Sequence, residues 1–294
     1  MVNYNPKSWI TLIFSIHKSD TLRILWKPMI YLCLLTLGIA YIEINYIENV
    51  KPLEKLITIY QLIGFVISLL LVFRTNTAYD RWWEGRKKWG ELVNESRNIA
   101  LKLNAVLQDE KQKEFFARML SNFAVALKGH LRKGVIVEEL HLTEEERLYL
   151  SGIAHQPLGI VNSMYQRLIR LKKERGIDDA EYRALDKNIN SLMEICGACE
   201  RIKNTPIPFS YSLFFKKFIF IYVVTLPVAF VTTFGYYSAF IATFIFYVLV
   251  SIEVLAEEIE DPFGEDDNDL PVDTLAENIS KIVYECMGLS FKQD

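Results

Sequence analysis

The chain has 294 residues, of which 51% are hydrophobic and 13% aromatic, and its formal net charge is −3. This length is enough for one large domain or two ordinary ones. The apolar residues are not spread evenly, which excludes an ordinary soluble domain. They are concentrated in four runs, at about 28–47, 56–73, 213–234 and 236–255.

The four apolar runs predict four transmembrane helices arranged as two hairpins. A helix needs about 20 apolar residues to cross a bilayer. The first hairpin belongs to an N-terminal segment, 1–73, and the second hairpin, 213–255, is broken at Gly235. A secretory signal peptide is not predicted, because the first 27 residues are mixed polar and aromatic and no small-residue cleavage site follows the first run.

The distribution of Lys and Arg predicts the orientation in the membrane. Residues 1–27 carry four basic residues and one acidic residue, the turn at Gly235 has no charge, and residues 74–217 hold most of the Lys and Arg of the chain. Both termini and the central segment are therefore expected in the cytoplasm, with both short loops outside. The compact length indicates a bacterial plasma (inner) membrane.

The central segment, 74–212, has the periodicity of helices. Apolar residues at spacings of three and four form two stripes: Phe116, Met119, Leu120, Phe123, Leu127 and Leu131, then Leu185, Ile189, Leu192, Cys196 and Cys199. Thr143 with Glu146 predicts a capping box. Convincing strand alternation is absent. The sequence predicts an all-α, multi-pass membrane protein with a helical cytosolic domain at 74–212 and an acidic cytosolic segment at 256–294.

Recognisable catalytic chemistry is missing from the sequence. The apolar runs hold almost no ionisable groups, with Glu43 at the outer end of the first run. H-E-x-x-H, G-x-S-x-G and P-loop motifs are absent. Lone histidines such as His130 are more often surface or core residues than ligands, and the single C-x-x-C pair is typical of a packed helix. These patterns predict a channel, scaffold or receptor, no enzyme and no nucleic-acid partner.

Three stretches resemble signatures of the bestrophin family of ion channels. They are FRTNTAYDRWWEGRKKWG at 73–90, EDPFGEDDNDL at 260–270 and, more weakly, ERIKNTPIPFSY at 200–211. Their order and spacing fit the family, so the resemblance covers nearly the whole chain. It implies a homopentamer in lipid around one axial pore, with four membrane helices per subunit and no required cofactor. The expected function is passive conduction of anions such as chloride. A cation-selective channel of the same type and a non-conducting membrane-anchored scaffold remain alternatives.

The resemblance implies an apolar pore neck at Phe65, Leu69 and Phe73. These residues recur every four positions and therefore share one face of a helix. Periodicity alone does not choose this face, because Val66 and Leu70 make an equally good stripe. The choice rests on the resemblance.

Two further sets of residues take roles from the resemblance. Ile207, between Pro206 and Pro208, matches a second constriction at the cytosolic exit; the prolines also suit the simple end of one helix and start of the next. The family signature, expected to pack subunit against subunit, is Asp80, Arg81, Trp82 and Trp83. Without the resemblance, these aromatic and basic residues would suit an interfacial belt.

The acidic segment matches the calcium-binding positions of calcium-gated family members at Asp261, Asp266 and Asp269. Calcium prefers six to eight oxygen ligands, which clustered carboxylates and carbonyls supply. The segment departs from the family pattern by having Asp261 where Asn is usual and Asn268 within the acidic run, so a solvated acidic turn remains the alternative. Near the inner mouth, basic residues are expected to favour anions and the acidic segment at 257–269 opposes them. The basic residues are Arg201, Lys203, Lys216 and Lys217.

Overall fold

The computed structural model describes residues 21–46 and 55–291, which form nine α-helices and two short 3₁₀ turns, with no β-strand in these two ranges. The all-helical prediction is confirmed. Residues 1–20 of the predicted cytoplasmic N-terminus (1–27) and residues 47–54 of the predicted outer loop (about 43–55) lie outside the described residues. The helices are α1 (Thr21–Tyr46), α2 (Leu56–Val106), α3 (Glu110–Leu131), α4 (Glu144–Ser151), α5 (Gln156–Lys173), α6 (Asp179–Asn204), α7 (Phe209–Phe234), α8 (Ser238–Glu260) and α9 (Val272–Cys286).

Three stretches of the described chain are long and apolar enough to cross a membrane. They are Thr21–Tyr46, Leu56–Val106 and Phe209–Glu260. The third stretch contains two consecutive helices, α7 and α8, joined by a 3₁₀ turn at Gly235–Tyr237. Gly235 ends α7 with a φ of 54°, a left-handed conformation that a residue without a Cβ adopts at little cost. The predicted break between the last two apolar runs is therefore confirmed as a tight turn.

The first compact unit contains the described residues up to Trp82 together with Pro206–Asp261 and Asp266–Asn268. In this unit α1 packs against α7 and α8, and the apolar half of α2 joins the same core. Gly64 allows α2 to approach α7 closely, because a Cβ at this position would lie 2.6 Å from the Tyr222 hydroxyl oxygen. The buried core residues are Leu32, Ile67, Leu71, Phe215, Ile219, Tyr222, Val223, Leu226, Ala242 and Leu249.

The second compact unit contains Trp83–Thr205, Pro262–Glu265 and the described residues from Asp269 onward. Helix α3 contacts α5, α6 and α9. Both apolar stripes predicted for this unit are buried, as their periodicity requires. The predicted capping box is confirmed, since the Thr143 side chain accepts from the Glu146 N–H at the start of α4. A second one begins α6, with Asp178 and Glu181.

The helices of the first unit expose many large apolar side chains. Examples from four different helices are Tyr31, Leu62, Phe220 and Phe240, each more than half exposed. A soluble monomer rarely presents apolar surface on this scale. These faces suit contact with lipid or with other subunits.

Candidate functional site

Helix α2 has two opposite faces within the first unit. Ile67, Leu71, Arg74 and Ala78 are all buried and follow one another at spacings of three and four. The opposite face carries the three predicted neck residues, Phe65, Leu69 and Phe73, which are 67%, 47% and 55% exposed. At 100° per residue, the two sets lie about 180° apart around the helix. The predicted neck residues are therefore among the apolar side chains that this unit leaves exposed.

The alternative stripe has a different environment. Leu70 is partly buried and packs against the core of the first unit, and Val66 is 39% exposed. A residue that already fills part of the core has less surface to present to a pore. Of the two stripes that periodicity left open, the one with Phe65, Leu69 and Phe73 is the more exposed.

A buried charge cluster begins directly after Phe73. Arg74 is only 1% exposed, and its Nη2 atom donates to Glu260 Oε2 on α8 at 2.7 Å. Its Nε atom lies 3.7 Å from Glu253 Oε2, also on α8. A charge-assisted bond of this length is strong, and removing one partner leaves an uncompensated buried charge. The cluster therefore fixes the middle of α2 to the end of α8.

Glu260 also holds the segment that precedes α7. Its Oε1 atom accepts from the backbone N–H of Ile207 at 2.7 Å, and its backbone carbonyl accepts from Arg81 Nε at 3.1 Å. One residue thus contacts the guanidinium groups of Arg74 and Arg81 and the backbone of Ile207. The Glu260 carboxylate therefore connects Arg74, which directly follows the predicted neck, with the backbone of Ile207, the predicted second constriction.

The family-signature residues divide into two groups. Arg81 and Trp82 make contacts within the first unit, since the Trp82 indole Nε1 donates to the Asn268 carbonyl at 3.0 Å. Asp80 and Trp83 are exposed. The sequence predicted subunit packing for all four residues. The contacts of Arg81 and Trp82 show that these two side chains also bind the C-terminal part of their own chain.

The three predicted calcium ligands differ in exposure. Asp261 and Asp266 are exposed, whereas Asp269 is 2% exposed. In the second unit, the guanidinium of Arg132 donates to the backbone carbonyls of Phe263 and Gly264, both at 3.2 Å. Calcium binding by the three aspartates stays a prediction.

Three of the four basic residues expected near the inner mouth make ion pairs or hydrogen bonds. Arg201 pairs with Glu84 at 3.0 Å, and Lys216 pairs with Glu257 at 2.8 Å. Lys203 donates to the Leu131 and Arg132 carbonyls. Because two of the four cations are neutralised by a carboxylate, the local excess of positive charge is smaller than the sequence indicated.

The charge cluster on α2 and α8 is absent from the sequence-based predictions. The apolar runs hold almost no ionisable groups, yet Glu253 lies inside the run at 236–255 and is buried beside Arg74. An ionisable residue within a membrane run is itself a signal of function or pairing. Glu253 is such a residue. Its partner is 179 positions away, so the sequence did not reveal the pairing.

Comparisons with known proteins give one consistent answer. Residues 1–285 match the model of the family described as bacterial/fungal bestrophin protein. A voltage-dependent anion channel-forming protein of Nostoc sp. is 32% identical, covering 97% of this chain and 93% of that protein. The voltage-dependent anion channel-forming protein YneE of Salmonella typhi is 30% identical, covering 95% and 91%. The crystal structure of a bacterial bestrophin homologue from Klebsiella pneumoniae matches with a TM-score of 0.81 at 27% identity, covering 90% of this chain and 98% of that chain.

Proposed function

Because the chain belongs to the bacterial and fungal bestrophin family, we propose that it is the subunit of a pentameric channel conducting anions such as chloride passively across a bacterial plasma membrane. The family and the relatives are ion channels rather than enzymes, and the proposed conduction requires no cofactor. The observation that carries the proposal is the exposed apolar face of α2, directly opposite its buried face.

The proposed topology has four transmembrane helices per subunit: α1, the apolar half of α2, α7 and α8. The uncharged turn at Gly235 supports an outer position for the connection between α7 and α8. The basic residues that follow the apolar half of α2 support a cytoplasmic position for the second unit. Both termini are then cytoplasmic.

In the proposed pore, five copies of α2 surround the axis and place Phe65, Leu69 and Phe73 in three apolar rings. Positions four residues apart are separated by 6 Å of helix, so the rings cover about 12 Å of the axis. An apolar constriction of this kind controls flow by dewetting. Phenyl rings also present positive edges, which favour a passing anion weakly.

The second proposed constriction is a ring of Ile207 side chains. Support comes from the Glu260 carboxylate, which binds the Ile207 backbone and the Arg74 guanidinium together. Arg74 directly follows Phe73, so a movement of α2 at the end of the neck also changes the contacts that position Ile207.

Anion selectivity rests mainly on the relatives. The similar proteins of Nostoc sp. and Salmonella typhi are both named as anion channel-forming. The charge argument is weaker, because Arg201 and Lys216 are paired with carboxylates. The family relationship therefore gives the main support for the proposed anion selectivity, and the phenyl edges of the proposed neck give a weaker physical one.

Single-channel recording of the purified protein in a planar bilayer tests the proposal. A channel gives unitary current steps, whereas a membrane-anchored scaffold gives none. A matched recording of the Phe73→Ala variant is the control: steps of altered size show that the current belongs to this protein. Absence of steps from a correctly assembled protein would favour the scaffold.

A further inference from the structure

A cluster of two histidines and one glutamate lies in the second unit, away from the proposed neck residues in the sequence. His130 is in the last turn of α3, His155 is the N-cap of α5, and Glu200 is on α6. The Nε2 atoms of His130 and His155 lie 2.6 Å and 2.8 Å from the same atom, Glu200 Oε1. The two imidazole ring centroids are 4.4 Å apart. Three helices therefore bring three potential metal ligands to one point.

We propose that His130, His155 and Glu200 form a binding site for a divalent transition-metal ion such as Zn²⁺. Two imidazole nitrogens and one carboxylate oxygen are a ligand set that zinc takes in proteins, with water in the fourth position. Imidazole ligands select transition ions over calcium and magnesium, which prefer oxygen. The site is distinct in chemistry and sequence from the aspartates predicted to bind calcium.

The geometry requires little rearrangement. One ligand atom from each side chain lies within 4.8 Å of the other two. Ligand atoms around a tetrahedral zinc ion, at 2.0–2.2 Å from the metal, are separated by about 3.3 Å. The nitrogen-to-oxygen distances therefore need to lengthen by about 0.6 Å. All three side chains are roughly one-quarter to one-third exposed, so an ion and a water ligand have access.

Neighbouring contacts hold the ligands in place before an ion arrives. Lys203, one turn after Glu200 on α6, donates to the carbonyls of Leu131 and Arg132 at the end of α3. These contacts fix α3 and α6 beside each other at His130. Pre-positioned ligands reduce the ordering cost of binding.

The charge state of the carboxylate also suits a cation. Partial burial alone would raise the pKa of Glu200, but hydrogen bonds from His130 and His155 hold it below its usual value. Glu200 is therefore ionised at neutral pH. Burial raises the pKa of the nearby Cys196 thiol to about 12, so this thiol stays protonated and is a poor metal ligand.

Metal binding gives up the two histidine–Glu200 hydrogen bonds and has a further cost at the start of α5. The His155 Nδ1 atom accepts from the Leu158 N–H at 3.2 Å, which leaves the proton of a neutral ring on Nε2. A metal on Nε2 moves that proton to Nδ1 and gives up the N-cap bond. Such a cap stabilises the start of a helix. The site should therefore bind more weakly than a fully pre-formed structural zinc site.

Zinc titration of the assembled full chain, prepared without a histidine tag and stripped with EDTA, tests the proposal. Competition with a chromophoric zinc chelator measures affinity and stoichiometry. We expect one zinc ion per subunit and an increase in the apparent unfolding temperature on adding zinc. His130→Gln and Glu200→Gln should each weaken binding at least about tenfold, because each removes a direct ligand.

The matched control is His141→Gln, since His141 is an exposed histidine of the same unit outside the cluster. It should bind zinc as the unmodified chain does. The proposal is overturned if the unmodified chain takes up no zinc at micromolar free concentration. It is equally overturned if His141→Gln and Glu200→Gln lose the same amount of binding. Neither measurement depends on ion conduction, so the result is independent of the proposed channel activity.

Discussion

The carboxylate of Glu260 accepts a hydrogen bond from the backbone N–H of Ile207 at 2.7 Å. The other oxygen of the same carboxylate binds the buried guanidinium of Arg74, also at 2.7 Å. The position of Ile207 therefore depends on a charge pair between α2 and α8. A change in that pair should therefore move the backbone of Ile207, the second proposed constriction, although neither charged residue is required to contact the Ile207 side chain.

Replacing Arg74 by Met should strongly destabilise the protein. The substitution leaves Glu253 and Glu260 without their buried cation, and breaking a buried pair costs about 3–5 kcal/mol. Thermal unfolding in detergent, followed by tryptophan fluorescence, measures the effect. Arg201→Met is the matched control, because its partner Glu84 and Arg201 itself are exposed and such a pair contributes at most about 1 kcal/mol. Equal decreases in unfolding temperature would contradict the assigned role of Arg74.

Replacing Phe65, Leu69 and Phe73 together by Ala should raise single-channel conductance and open probability. The substitutions widen the proposed neck and remove the apolar surface that supports dewetting. Stability should change little within the subunit, because all three side chains are about half exposed or more. The comparison variant carries Val66→Ala and Leu70→Ala. If that variant opens the pore and the first does not, the neck lies on the other stripe.

The purified protein should have a mass five times that of the subunit, which is 34.2 kDa. The exposed apolar faces of the first unit and the exposed Asp80 and Trp83 provide surfaces for subunit contacts. Light scattering corrected for bound detergent, or native mass spectrometry, measures the mass. A stable monomer or dimer would rule out the pentamer.

Removing the charge of Lys216 and removing the charge of Glu257 should shift the reversal potential in opposite directions, when it is measured under a potassium chloride gradient. Lys216→Gln leaves a carboxylate and should move it toward the potassium equilibrium potential, since local charge sets local ion concentration. Glu257→Gln leaves a cation and should move it toward the chloride value. Shifts of the same sign would place the pair away from the ion path. An unmodified channel that reverses near the potassium equilibrium potential would replace anion by cation selectivity.

Calcium uptake at millimolar concentration should be measurable by calorimetry if the acidic segment binds the ion through Asp261, Asp266 and Asp269. Replacing Asp266 and Asp269 together by Asn should abolish the uptake. Asp267→Asn is the matched control within the same segment, because this residue is outside the predicted ligand set. No heat of binding to the unmodified chain would leave the segment as a solvated acidic turn.

The helical architecture was largely predictable from local patterns. Apolar runs, stripes at spacings of three and four, the Thr143 cap and the break at Gly235 each act over a few residues. The corresponding helices, buried faces and turn are present. Such features can be predicted from the sequence because each depends on one side chain and its near neighbours along the chain.

The contacts of the candidate site were not predictable in the same way. Periodicity could not separate the Phe65 stripe from the Val66 stripe, because every face of the apolar half of α2 is hydrophobic. The burial of Arg74 and its bond to Glu260 depend on packing between helices far apart in the chain. The grouping of His130 with Glu200 likewise depends on how α3 meets α6, which no local pattern encodes.

During synthesis of the chain, Arg74 is made well before its partner Glu260. The two residues are 186 positions apart. At 5–20 residues per second, the ribosome needs roughly 10–40 s after Arg74 to add Glu260. During that interval the nascent first unit has a guanidinium without its main carboxylate partner. Completion of this unit therefore requires α8, and a chain truncated before α8 should become a substrate for quality-control proteases.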